Sequence, residues 1–196
     1  VVHAIRNDDG RVIGVEVRTG VRTILCGARR GVIFASGGFI HDRDLALAHL
    51  RGPVLGAGAS ESATGDFVRI GIELGTQLGN MSHAWWDQVT VEHAVTVPST
   101  IKDVYSPHGD SMLMVDKYGR RAVNEKAVYN ERGQVHFHWD ASRYEYPNLL
   151  LFWIFDQAVV DDTRVSRFRW PVPMPGEPFP DFVFRGDTLD ELATEL

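Results

Sequence analysis

Residues 117–140, KYGRRAVNEKAVYNERGQVHFHWD, crowd arginines at 120, 121 and 132, tyrosines at 118 and 129, the pair Asn124-Glu125 and histidines at 136 and 138 into 24 positions. Side chains of these types enter a core only at a desolvation cost. The stretch is therefore either the rim of a reaction site or a solvated face laced with charge. Three shorter motifs suit other chemistry. Thr64-Gly65-Asp66 opens an amphipathic run. Free N–H groups at a helix start, beside a carboxylate, suit the carbonyls or hydroxyls of a polar ligand, although capping of the helix by Thr64 or Asp66 is the commoner use. Ser36-Gly37-Gly38 ends an apolar run and either admits a ligand close to the backbone or makes a plain strand-to-helix turn. Trp85-Trp86 offers rings to an apolar pocket, while paired tryptophans more often belong to core.

Other motifs fail on inspection. Gly56 to Glu61, GAGASE, puts a glutamate where a dinucleotide loop needs its third glycine, so it reads as a flexible loop. On a strand, His136 and His138 would point to one side, but no third ligand stands at a useful spacing and no metal site is expected. The lone Cys26 excludes an internal disulfide and a cysteine-built zinc site, and its alternating surroundings predict a buried strand thiol.

These groups must be positioned by the elements around them. VVHAIR, RVIGVEVR and VRTILCG alternate in short β-rich runs separated by Asn7–Gly10 and Thr19-Gly20, which predicts a three-stranded meander. Val32–Phe34 form a continuous apolar run and predict a strand buried on both faces. HDRDLALAHL reads as a helix with Asp42 as N-cap. From Asp66 a second helix follows, with Phe67, Ile70, Leu74 and Leu78 near one face and Gly79-Asn80 as its stop. SMLMVDKYGRR predicts strand, turn and re-entry, and NLLLFWIFD is apolar without a decisive period. VPMPGEPFPDF must be extended loop, because proline blocks both helix and central strand. All five tryptophans and eight of the nine prolines lie beyond residue 80, where a domain boundary is expected.

With 196 residues and 44% apolar content, the chain can bury a real core. Twenty basic against 26 acidic residues leave a net charge of −6, which removes most of the attraction on which a nucleic-acid binder relies. The longest apolar run, Leu149–Phe155, has seven residues, far below the roughly 20 that span a bilayer. No leader precedes the first strand, so a cytoplasmic location is expected. The chain begins without methionine and stops part-way through a helical pattern, and both ends read as cuts.

Taken in order, GRVIGVEV, GVIFASGGFIHDRDL, ATGDFVRIGIELG, AWW, SMLMVDKYGRRAVNEKAVYNE, LLLFWIFDQ and DTLDELA resemble the FAD-dependent oxidoreductase 2 family of fumarate reductase and succinate dehydrogenase flavoproteins and 3-ketosteroid dehydrogenases. The likeness covers nearly the whole chain. It implies a mixed α+β fold: part of an FAD-binding domain in residues 1–80 (the meander, the buried strand and helices), then a truncated α+β capping or substrate domain in 81–196. The family's phosphate-binding glycine loop lies upstream and a further flavin-contacting segment downstream. The rest of the FAD domain is then this chain's missing partner, and the piece alone is expected to bind FAD weakly and to lack turnover.

By position, the resemblance assigns Val2, Ala35, Ser36, Gly37, Gly38, Thr64, Gly65 and Asp66 to FAD. SPHGDS, AWW and NEKAVYNE resemble the ketosteroid branch, where a tyrosine at the place of Tyr129 takes a proton while hydride passes to flavin N5. The implied substrate is a small apolar, steroid-like ketone, with Trp86 and Glu125 as candidate contacts. A dicarboxylate-reducing flavoprotein and a non-catalytic binding domain are the alternatives. An ordinary tyrosine is about three pKa units too weak an acid to be phenolate at neutral pH, so nearby cations, a hydrogen-bond relay from a second hydroxyl or the site's own field must offset this; Arg120, Arg121 and Arg132 are near in sequence. Glu125 stands one helical turn before Tyr129 if that stretch is helical, and would then orient it.

Overall fold

The computed structural model describes residues 1–97, 99, 104 and 106–195, with helices and antiparallel sheets together. The chain divides into two units, one of Val1–Arg51 with Ala59–Ala84 and one of Gly52–Gly58 with Trp85–Leu196.

The first unit opens with β1 (His3–Arg6), β2 (Val12–Thr19) and β3 (Arg22–Gly27), antiparallel in the order β1-β2-β3, as the alternation predicts. Asn7 closes the first turn, accepting from Gly10 N–H through its carbonyl (2.9 Å) and from Arg11 N–H through its side chain (2.8 Å). Gly14 lets the strands approach closely, since a Cβ there would stand 2.4 Å from the Cys26 carbonyl oxygen. Helix α1 (Arg43–His49) starts where expected: Asp42 accepts from Leu45 N–H at 2.9 Å. Helix α2 (Asp66–Glu73) buries Val68 and Ile70.

Three expectations for this unit need correction. Cys26 is exposed, as are all six residues of β3, an edge strand that pairs only with β2 among the described residues. Val32–Phe34 are extended but belong to no strand among the described residues, and Ile33 is 94% exposed. A strand buried on both faces needs neighbours on both sides, and the meander's three strands pair only with one another. Helix α2 stops at Gly75, not at Gly79-Asn80. Gly75 takes φ +76°, its N–H donates to Ile72 and Thr76 N–H donates to Gly71, which is a Schellman closure one turn early.

In the second unit, β4 (Met112–Val115) pairs antiparallel with β5 (Phe152–Phe155), so the undecided apolar run ends in a strand. Helix α3 (Val91–Ala94) precedes β4, and between the two strands comes helix α4 (Tyr129–Gly133) with a 3-10 turn over Gln134–Phe137. That turn replaces the strand imagined for His136 and His138. Helix α5 (Gln157–Asp161) brings Val159 and Val160 against Val172, and Met112, Trp153, Phe155 and Phe179 pack around them. Helix α6 (Leu189–Glu195) is wholly without buried residues. After β4 the chain turns and re-enters as expected: Asp116 accepts from the N–H groups of Tyr118 (2.8 Å) and Arg120 (2.9 Å), and Arg121 bridges back to Val115. Among the described residues no helix is long and apolar enough to cross a membrane.

Carboxylates that close these turns and caps titrate low. The Leu45 N–H holds Asp42 below its ordinary range, and the Ser111 hydroxyl does so for Asp156. For Asp162 the cause is the Arg164 guanidinium, and for Asp116 desolvation is outweighed by the Arg120 and Tyr118 N–H groups. A carboxyl whose folded pKa is depressed contributes stability above its unfolded value, and that contribution is lost as pH falls through the folded value. Burial likewise depresses His136, so the urea midpoint is expected to decline as pH falls below about 6.5, where that imidazole charges in the unfolded chain, and to fall further below about pH 4, where unfolded carboxyls protonate. A midpoint that stays level between about pH 5 and 3 would contradict the carboxyl assignment.

Candidate functional site

Within the first unit the structure gathers the three segments assigned by resemblance at the start of α2. Gly65 N–H donates to the Gly38 carbonyl at 3.1 Å, and His41 N–H donates to Ala63 at 3.1 Å, so the Gly37–Phe39 turn lies along Ala63–Gly65. The Val1 nitrogen lies 3.5 Å from Asp66 Oδ2, which brings the head of β1 to the same place, and Val2 N–H extends the β1–β2 pairing by donating to Glu16 at 2.9 Å. Gly65 is required there. It sits at φ +76°, and an added Cβ would stand 2.6 Å from Leu45 Cδ1 and 2.8 Å from Phe39 Cβ.

The helix start is capped by Gly65 with no side-chain bond, so neither Thr64 nor Asp66 serves as the cap. Thr64 Oγ1 instead donates to Asp66 Oδ1 at 3.4 Å. Ala35, Ser36, Gly37 and Gly38 are exposed, and among the described residues their N–H groups find no acceptor in the chain. Above Gly38 an added Cβ meets nothing within 4 Å. Exposed donors, an open approach and a partly exposed carboxylate suit a ligand with both acceptors and hydroxyls. The carboxylate would repel a phosphate at this helix start.

In the second unit Tyr129 is the first residue of α4 and is half-buried. The tryptophan beside it is Trp85 rather than Trp86, the candidate substrate contact. The Trp85 ring, 85% exposed, meets the Tyr129 ring edge-on at 6.3 Å. Trp86 is core: it packs edge-on against Phe137 at 4.6 Å, its N–H donates to Asn130 Oδ1 at 3.0 Å, and Gly133 leaves it room. The i, i+2 spacing of Trp86 and Gln88, both buried, is the signal that turns Trp85 to the other side.

Glu125 also differs from expectation. It lies in the turn before α4 rather than on it, and is 3% exposed. Desolvation raises its pKa, but bonds from Arg121 (2.5 and 3.1 Å) and the Met114 N–H (2.9 Å) outweigh this and hold it low. Its oxygens tie β4 to Arg121 instead of orienting Tyr129. The arginines considered as partners for the phenol are engaged elsewhere: Arg120 with Asp116 at 3.2 Å, Arg121 with Glu125, and Arg132 with backbone carbonyls in the interior. His136 joins Gln88 Nε2 (2.8 Å) to the Asn148 carbonyl (2.7 Å). Among the described residues no group of three or more His, Cys, Asp or Glu is placed to hold a metal ion.

A family model described as FAD binding domain matches residues 1–165. The 4-oxocyclohexanecarboxylate 2-dehydrogenase of Sinomonas cyclohexanicum is 29% identical over 192 residues, covering 97% of this chain and 32% of that protein. A 3-oxosteroid 1-dehydrogenase of Mycolicibacterium smegmatis is 30% identical over 206 residues, covering 95% and 34%. The chain thus spans about a third of the length of these relatives. In fold it resembles the 3-ketosteroid delta1-dehydrogenase of Sterolibacterium denitrificans, solved with 1,4-androstadiene-3,17-dione, at a TM-score of 0.60 and 24% identity over 88% of this chain and 29% of that one. The chain belongs to the FAD binding domain family.

Proposed function

We propose that this chain is about a third of an FAD-dependent dehydrogenase that desaturates a cyclic ketone beside its carbonyl. The observation that carries the reading is the convergence of Val2, Gly38, Gly65 and Asp66 at one helix start, with open N–H donors at Ala35–Gly38 alongside. That donor set fits FAD: N–H groups for the ring's carbonyls and nitrogens, and Asp66 for a hydroxyl of the sugar chain. Residues 1–80 then belong to the FAD-binding domain and 81–196 to the capping domain, in a cytoplasmic protein. Val32–Phe34 would complete a sheet supplied by the remainder of the protein.

When bound, the flavin supplies the hydride acceptor. The names of the relatives, 3-oxosteroid 1-dehydrogenase and 4-oxocyclohexanecarboxylate 2-dehydrogenase, both place the new double bond next to a ring ketone. A ketone acidifies the hydrogens on its neighbouring carbon, so the chain's own task is to remove one of them as a proton. Tyr129 takes that role, and its exposed neighbour Trp85 gives an apolar ring a flat surface.

The test uses the full-length protein, purified and assayed with an artificial electron acceptor. A yellow protein that oxidises a 3-oxosteroid or 4-oxocyclohexanecarboxylate is the expected result. Flavin-free protein, or one that only reduces fumarate with a reduced dye, would overturn it.

A further inference from the structure

Arg132, in the last turn of α4, is the largest fully buried side chain among the described residues. A buried guanidinium loses its hydration, and a methionine of similar length would fill the space without that loss. What a methionine lacks is the fork of N–H donors. Here the fork is directed at backbone. Arg132 Nη1 donates to the carbonyls of Glu125 and Ala127, both at 3.2 Å, in the turn that delivers the chain to Tyr129. Nη2 donates to the Val104 carbonyl and Nε to Gln88 Oε1. Gln88 follows Trp85 by three residues, and its amide nitrogen is already given to His136. The counter-charge is Asp87, with Oδ1 at 3.9 Å. One side chain therefore ties the backbone before Tyr129 to the segment that carries Trp85.

We infer that Arg132 is a positioning residue, which holds the Tyr129 phenol and its edge contact with Trp85 in register and so governs proton removal without touching the substrate. The inference rests on the acid–base role proposed for Tyr129. It requires that the effect of Arg132 on rate pass through the phenol, which a purely architectural residue would not do.

The experiment compares Arg132→Met, Arg132→Lys, Tyr129→Phe and the Arg132→Met/Tyr129→Phe double variant of the full-length flavoprotein with a 3-oxosteroid. Arg132→Met is expected to lower kcat by about 10- to 100-fold with KM within about threefold and flavin content unchanged. Arg132→Lys should recover part of the rate, since it keeps the charge but not the fork. The double variant should be no slower than Tyr129→Phe alone. Losses that multiply in the double variant, or a folded Arg132→Met with wild-type kcat, overturn the inference. If Arg132→Met does not fold, Gln88→Met removes one acceptor from the same frame, and an unchanged kcat in that variant overturns it equally. Wild-type turnover in Tyr129→Phe would bring down the role of Tyr129 and this inference with it. A slow Tyr129→Phe beside an unaffected Arg132→Met would bring down the inference alone.

Discussion

Tyr129→Phe in the full-length flavoprotein is expected to lower kcat by about 10³-fold, or roughly 4 kcal/mol of barrier, with little change in KM. The substitution deletes one oxygen and leaves the ring, so the edge contact with Trp85 and the packing at the head of α4 persist. The residues assigned to FAD all lie in the other unit of the chain, which predicts unchanged flavin content. Stopped-flow bleaching of the flavin by substrate isolates the step, because reoxidation by the acceptor does not involve the substrate's proton. A bleaching rate equal to wild type would remove Tyr129 from the chemistry.

Gly65→Ala carries the largest expected effect on the fold. The added methyl demands a left-handed backbone from an L-residue, a cost of about 1–2 kcal/mol. It also collides with Leu45 Cδ1 at 2.6 Å and Phe39 Cβ at 2.8 Å. Leu45 can rotate away, but Phe39 Cβ is fixed to the backbone, so overpacking adds about 1–3 kcal/mol. The sum, roughly 2–5 kcal/mol, is a large part of a domain's stability and should show as a lower urea midpoint. FAD occupancy should fall as well, because Gly65 N–H fixes the Gly38 carbonyl. Gly20→Ala is the control: its φ is +57° but its Cβ would meet nothing within 4 Å, so only the backbone cost remains. Equal losses in the two variants would show that the close approach at Gly65 does not matter.

Much of the architecture was legible because it is written locally. Asp42 caps α1 through a bond three residues away, and Asp116 closes its turn through bonds two and four residues away. The meander needs only alternation and two turns. What failed depends on partners distant in sequence. The apolar run Val32–Phe34 specifies a buried strand only if a sheet lies on both sides of it, and Cys26 is buried only if a layer covers β3. The end of α2 was misjudged because Gly75 and Gly79 give the same signal, and the deciding Thr76-to-Gly71 bond is not visible in composition. At the candidate site, the grouping of Val2, Gly38 and Asp66 came only from resemblance, since 64 positions separate the first from the last. Glu125 was misplaced by a helix assumption: α4 begins at Tyr129, so a spacing of four does not make them neighbours on one face.

Ile33 stands almost entirely in water, within an extended stretch that joins no ladder among the described residues. Such a segment adheres to others like itself, because identical strands satisfy one another's amides and cover one another's side chains. For this chain on its own, self-association then competes with folding, and dilution favours the folded monomer. The same stickiness would disappear once a neighbouring strand, from whatever source, occupied that edge.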